Sequence, residues 1–183
     1  AQIDLFLGIE QDYYSEEPTA GYDYVIGSVH YIRIPSVDPQ TGPEYISIPD
    51  GCLISNGYIY IPVDETPEIL CSARDAFFGG DIYSLIELYY ETVSDITDKV
   101  DPDIIGHFDL ITKFNEDNSL FDPENERYKA AWERAVFRLT DSSSTDGSDA
   151  TDGSDATDGS GATDDTASRR RMPVFEINTG AIA

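Results

Sequence analysis

Residues 101–111 read DPDIIGHFDLI. Ile104 and Ile105, bounded by Pro102 and Gly106, are too short a run for a helix and read as a buried strand. The run closes on His107, one of only two histidines in the chain. The other, His30, stands in YDYVIGSVHYI (22–32), again at the close of an apolar run and beyond a glycine. A third run, IDLFLGI (3–9), closes on Glu10, and a fourth, VFEIN (174–178), carries Glu176 and Asn178. Each run is read as a strand.

Between the runs the period changes. In DIYSLIELYYETVSDITDK (81–99), Ile82, Leu85, Ile86, Tyr89, Val93 and Ile96 fall on one helical stripe. In DPENERYKAAWERAVFRL (122–139), Asp122 is placed to cap a second helix and Pro123 to occupy its first turn. Its expected buried stripe is Tyr128, Ala131, Trp132, Ala135 and Leu139. Strands alternating with helices predict an α/β fold with parallel strands. Residues 33–76 read as a loop or small hairpin excursion, rich in Pro, Gly and Tyr.

The chain has 183 residues, enough for one domain with a real core, and a net charge of −25 from 36 acidic and 11 basic residues. That charge disfavours nucleic acid and anionic membrane surfaces and favours metal cations and cationic substrates. Cys52 and Cys71 form no zinc spacing and read as two free thiols. With no signal peptide or membrane-length apolar run, a cytoplasmic protein is expected. Residues 141–171 hold a six-residue repeat starting at Thr145, with no apolar side chain larger than alanine in TDGSDA. It is expected to be a disordered acidic insert. It fails the calcium-loop spacing. Deleting residues 141–168 removes eight aspartates and, in the parent enzyme, is expected to leave turnover and melting temperature nearly unchanged.

The C-terminal ends of parallel barrel strands converge on one face, and that face carries the site. Glu10, His30 and His107, arriving from separate strands, make a candidate divalent-metal cluster suited to Zn, Fe or Mn. Glu176 and Asn178, two apart, share one strand face, and one of them is expected to line the site. Tyr13 and Tyr14 either flank its mouth or cover the core edge.

The segments FLGIEQDYYS, YDYVIGSVHYI, FFGGDIYSLIELYYE, DIIGHFDLITKFN and FEINTGAI, in this order, resemble the PHP (polymerase and histidinol phosphatase) superfamily, and within it the histidinol-phosphatase branch. The resemblance spans nearly the whole chain outside the excursion and the repeat. It implies a partial distorted (β/α)7, TIM-like barrel, with 1–140 as its central part, 141–171 as an insert and 172–183 as a further strand. It implies a trinuclear metal site that hydrolyses a small phosphate monoester, L-histidinol phosphate, in histidine synthesis. Glu10 matches a bridging glutamate, His30 and His107 match two histidine ligands, and these three would be catalytic. Lys113 stands near the expected basic phosphate contact, and Asn178 is a second substrate-binding candidate. Asp12 and Glu16 would suit the ammonium and imidazole of histidinol.

The alternatives are another phosphoesterase of the superfamily, acting on phosphotyrosine or nucleic acid, or an inactive fragment. The family's opening His-x-His strand and closing Asp-x-His strand have no counterpart in the chain. Both ends look cut, and the 183 residues alone are expected to be largely inactive, below an enzyme-like rate, the parent enzyme active.

Overall fold

The computed structural model describes residues 3–36, 47–141 and 174–176. In chain order the elements are β1 (Gly8–Asp12), β2 (Tyr24–Ser28), β3 (Tyr31–Pro35), β4 (Leu53–Ser55), β5 (Tyr58–Pro62), α1 (Pro67–Phe77), α2 (Ile82–Ser94), α3 (Ile96–Lys99), β6 (Ile104–Ile105), a 3-10 turn (Leu110–Thr112), α4 (Glu126–Thr140) and β7 (Val174–Phe175). Two sheets result. The first is parallel, in the order β1-β2-β6-β7, and the second antiparallel, in the order β3-β5-β4. The fold is therefore mixed α/β with a parallel sheet. Among the described residues the parallel sheet is open, with β1 and β7 at its edges, so no closed barrel is formed.

The first strand begins later than its apolarity suggests. Ile3, Leu5, Phe6 and Leu7 are exposed, and β1 runs from Gly8 through Glu10 to Asp12. The entry point is set by Asp23. Its carboxylate accepts the Leu7 N–H at 2.6 Å, and its own N–H donates to the Leu7 carbonyl at 2.7 Å. Pairing with β2 follows directly, with Gly8 opposite Tyr24 and Asp12 opposite Ser28. Glu10 thus lies inside its strand rather than at its end.

Residues 33–76 hold more order than a loop. Ile32, Ile59 and Ile61 are fully buried on one face of the antiparallel sheet. Asn56 and Gly57, both with positive φ (51° and 80°), make the tight turn that joins β4 to β5. Helix α1 follows, with the Thr66 hydroxyl accepting the Ile69 N–H and Pro67 at its first turn.

Helix α2 is the centre of the core. Its Asp81 cap accepts the Tyr83 N–H, and Leu85, Ile86 and Tyr89 have no exposed surface. The expected single helix over 81–99 breaks at Asp95 into α2 and α3. Helix α4 packs on α2 through Ala131, Ala135 and Leu139, whose four-residue spacing puts them on one line. Trp132, one position off that line, is 40% exposed. Its ring meets Phe108 edge-on instead. Tyr128 is half-buried, its ring stacked on Phe121.

The cap of α4 is Asn125, which accepts the Arg127 N–H at 2.9 Å, not Asp122. Residues 122–125 form a turn of their own, in which the Asp122 carboxylate accepts the Glu124 N–H and its carbonyl the Asn125 N–H. The guanidinium of Arg127 then ties the helices, reaching Asp81 and Glu87 at 2.7 Å each. That hydrogen bond from Arg127 is the first cause holding the Asp81 carboxyl down at about 2. Arg127→Ala should lower Tm slightly, and the difference from wild type should shrink in molar salt, because the clamp is exposed. A difference that persists in high salt would assign the loss to packing.

Cys52 and Cys71 are free and half-buried. Among the described residues no helix is long and apolar enough to cross a membrane. The acidic insert expected over 141–171 lies outside the described residues apart from Asp141, and the repeat itself wholly so. Of the further strand expected in 172–183, Val174 and Phe175 pair with β6.

Candidate metal centre

Parallel pairing brings the three candidate ligands together. In β1, Glu10 and Asp12 share one face, two residues apart. Ser28, at the end of β2, points to the same place, and its hydroxyl donates to Glu10 Oε1 at 2.7 Å. His30 follows two residues on, and His107 follows β6. One ligand atom from each of Glu10, His30 and His107 lies within 4.8 Å of the others.

Glu10 Oε1 is the shared point. It stands 3.4 Å from His30 Nε2 and 3.4 Å from His107 Nε2. Such separations are long for an N–H···O hydrogen bond, which prefers about 2.7–3.2 Å. They suit two ligands of one cation. Bonds of about 2.0–2.1 Å in a tetrahedral arrangement place neighbouring donors about 3.3–3.4 Å apart. Two imidazoles and one carboxylate suit Zn, Mn or Fe, and three protein ligands leave a position for water or substrate.

The backbone at His107 is unusual. Its φ is +51°, a left-handed conformation uncommon for residues other than glycine. Its carbonyl is held by the Tyr89 hydroxyl at 3.1 Å and by the Leu110 N–H at 2.9 Å. Gly106 makes the crowding tolerable. A Cβ there would lie 2.6 Å from Ser28 Oγ and 2.7 Å from Ile26 Cγ2.

His30 is gripped by Asp12, whose Oδ2 accepts its backbone N–H at 3.1 Å and stands 3.3 Å from its Nδ1. That side-chain contact raises the His30 pKa above its ordinary value, against the opposing effect of burial, with Asp64 and Glu10 adding to the rise. Burial opposes ionisation of Asp12. Its hydrogen bonds to the His30 ring and to the Tyr14 and His30 amides outweigh that and hold its carboxyl below the usual range. Asp12, expected as part of a rim for a cationic substrate, is thus turned inward to His30. Glu16 is exposed.

Lys113 is engaged elsewhere. Its ammonium donates to the Asp64 carbonyl at 2.7 Å and pairs with the Asp64 carboxylate at 3.6 Å. Asn178 lies outside the described residues. Tyr13 and Tyr14 cover the edge between the sheets. Lys99 Nζ sits 4.3 Å over the Tyr13 ring, and Tyr14 meets Tyr60 edge-on. Burial pushes the Tyr14 phenol up to about 12. Glu176, which follows β7, reaches the cluster, with Oε2 3.7 Å from His107 Nδ1. Ser28 and the role of Asp12 were not read from the sequence. The i, i+2 pairing of Glu10 with Asp12 on one strand face was the available signal.

No family model, no curated protein and no solved structure matches the chain.

Proposed function

We propose that Glu10, His30 and His107 hold a divalent cation, and that the protein is a metal-dependent phosphate monoester hydrolase of the histidinol-phosphatase type, its sheet part of a distorted PHP barrel. The observation that supports this reading most is the meeting of two imidazoles, which follow β2 and β6, at one carboxylate oxygen of Glu10 on the adjacent β1. A cation bound there supplies an acidified water and neutralises phosphoryl oxygens. Glu10 contributes the anionic donor, kept in place by the Ser28 hydroxyl. His30 and His107 contribute neutral donors whose rings stand 5.8 Å apart, centroid to centroid. L-histidinol phosphate is the substrate to which the family resemblance points.

Among the described residues one three-ligand set is present, where the resemblance implies three cations. The chain by itself is therefore expected to bind one cation and to release phosphate slowly. Elemental analysis after loading with Zn or Mn should give about one cation per chain. Phosphate release should be faster from histidinol phosphate than from a phosphotyrosine peptide or an oligonucleotide. Failure to retain a cation would overturn the metal site. Retention without release from any of the three would overturn the hydrolase and leave a metal-binding protein. A preference for either of the other substrates would move the assignment within the superfamily.

A further inference from the structure

The two histidines of the cluster are arranged alike. Each turns Nε2 to Glu10 Oε1, at 3.4 Å in both cases, and each turns Nδ1 to a second carboxylate. For His30 that carboxylate is Asp12, at 3.3 Å. For His107 it is Glu176, at 3.7 Å. We infer that Asp12 and Glu176 are positioning residues, each fixing one histidine in the tautomer that carries its proton on Nδ1 and leaves Nε2 bare for a cation.

Three observations support the less obvious member, Glu176. The Nδ1 atom of His107 is buried and has no hydrogen-bond partner, so a polar group is required there. The backbone of Glu176 is pinned beside β6, since its N–H donates to the Ile105 carbonyl at 2.8 Å. Its side chain is about half exposed and has room to close the remaining distance, less than about 1 Å, to hydrogen-bond range.

A carboxylate behind a ligating imidazole sets ring orientation as well as tautomer and makes the ring a better donor. Asp12 does this from within β1, through the same strand face that carries Glu10. Glu176 does it across the β6–β7 pair. The two outer carboxylates therefore come from opposite edges of the parallel sheet, β1 and β7, and close on the two histidines between them.

The consequence for metal affinity rests on the cation reading above, whereas the tautomers do not, and the experiment separates the two. With only two histidines, the ring nitrogens of the 15N-labelled, metal-free chain can be assigned by comparison with His30→Gln. At alkaline pH both rings should show a protonated Nδ1 and a bare Nε2. Glu176→Ala should shift His107 alone toward the other tautomer, and Asp12→Ala should shift His30 alone. Glu176→Gln, which keeps an acceptor oxygen, should preserve the wild-type His107 signal. The unaffected histidine in each variant reports that the fold is intact. Zinc affinity, measured by chelator competition, should fall about 10- to 100-fold in Glu176→Ala and less in Glu176→Gln. A wild-type His107 protonated on Nε2, or one unmoved by Glu176→Ala, overturns the assignment. A wild type that binds no zinc but shows both Nδ1–H tautomers overturns the cation reading and leaves the positioning intact.

Discussion

His107→Ala should abolish tight cation binding and, with it, phosphate release. Losing an outer partner of a metal ligand costs about 10- to 100-fold in affinity. Losing the ligand itself removes one of three donors and should exceed about a hundredfold. Thermal unfolding provides a reading independent of catalysis. A cation at about one hundred times its Kd stabilises the folded chain by about 2.7 kcal/mol, worth about 5–10 °C in Tm at this size. Zinc should raise the Tm of the wild type by that amount and leave His107→Ala unmoved. The variant should remain folded without metal, because His107 is half-buried and alanine keeps the same Cβ at φ +51°, leaving the backbone strain unchanged. An equal zinc-induced shift in both proteins would place the cation elsewhere, and the acidic surface would be the first place to look.

The legibility of this site followed the reach of local signals. His30 and His107 stood out because histidine is rare in the chain and each ended an apolar run. Glu10 stood out because it broke one. Those cues depend only on neighbours in sequence, and the geometry brings all three together. Asp12 was visible as a neighbour of Glu10, but its task was not. That task depends on β1 pairing in parallel with β2 in a register that puts Asp12 opposite Ser28. Ser28 itself carried no signal, since a serine at a strand end is ordinary until a carboxylate is found 2.7 Å away.

In the fold, the stripe of α2 was legible because five apolar positions, Ile82, Leu85, Ile86, Tyr89 and Val93, repeat with a helical period. Two starts differ from their local pattern. The apolarity of IDLFLGI pointed to a strand over its whole length, but pairing begins only where Asp23 meets Leu7. Asp122 and Pro123 looked like a helix start, but Asn125 is three residues nearer the stripe and its side chain caps better. The excursion hid a real signal. Asn56-Gly57, between Leu53-Ile54-Ser55 and the alternating Tyr58-Ile59-Tyr60-Ile61, is a tight-turn marker, and Thr66-Pro67 marks a helix start.

The largest loss of stability is expected at Tyr89, where the core and the candidate site meet. Its ring is wholly buried on α2, edge-on to Tyr90, and its hydroxyl donates to the carbonyl of His107 at 3.1 Å. Burial also drives its phenol pKa far upward, so the group keeps its proton and stays a hydrogen-bond donor at any working pH. Tyr89→Ala removes the whole ring and leaves a cavity, at a cost of about 3–5 kcal/mol for a large aromatic. At about 2–4 °C per kcal/mol, Tm should fall by about 6–20 °C. Tyr89→Phe separates the two roles. It keeps the packing and strips one buried hydrogen bond, for about 1–2 kcal/mol. That bond secures the carbonyl of the one ligand whose backbone is left-handed, so its loss should loosen His107 more than it loosens the core. The expected pattern is a small drop in Tm with a clear drop in zinc affinity for Tyr89→Phe, and a large drop in Tm for Tyr89→Ala. If Tyr89→Phe keeps wild-type zinc affinity, the Leu110 N–H alone is enough to hold His107 in place, and α2 supports the sheet without acting on the ligand.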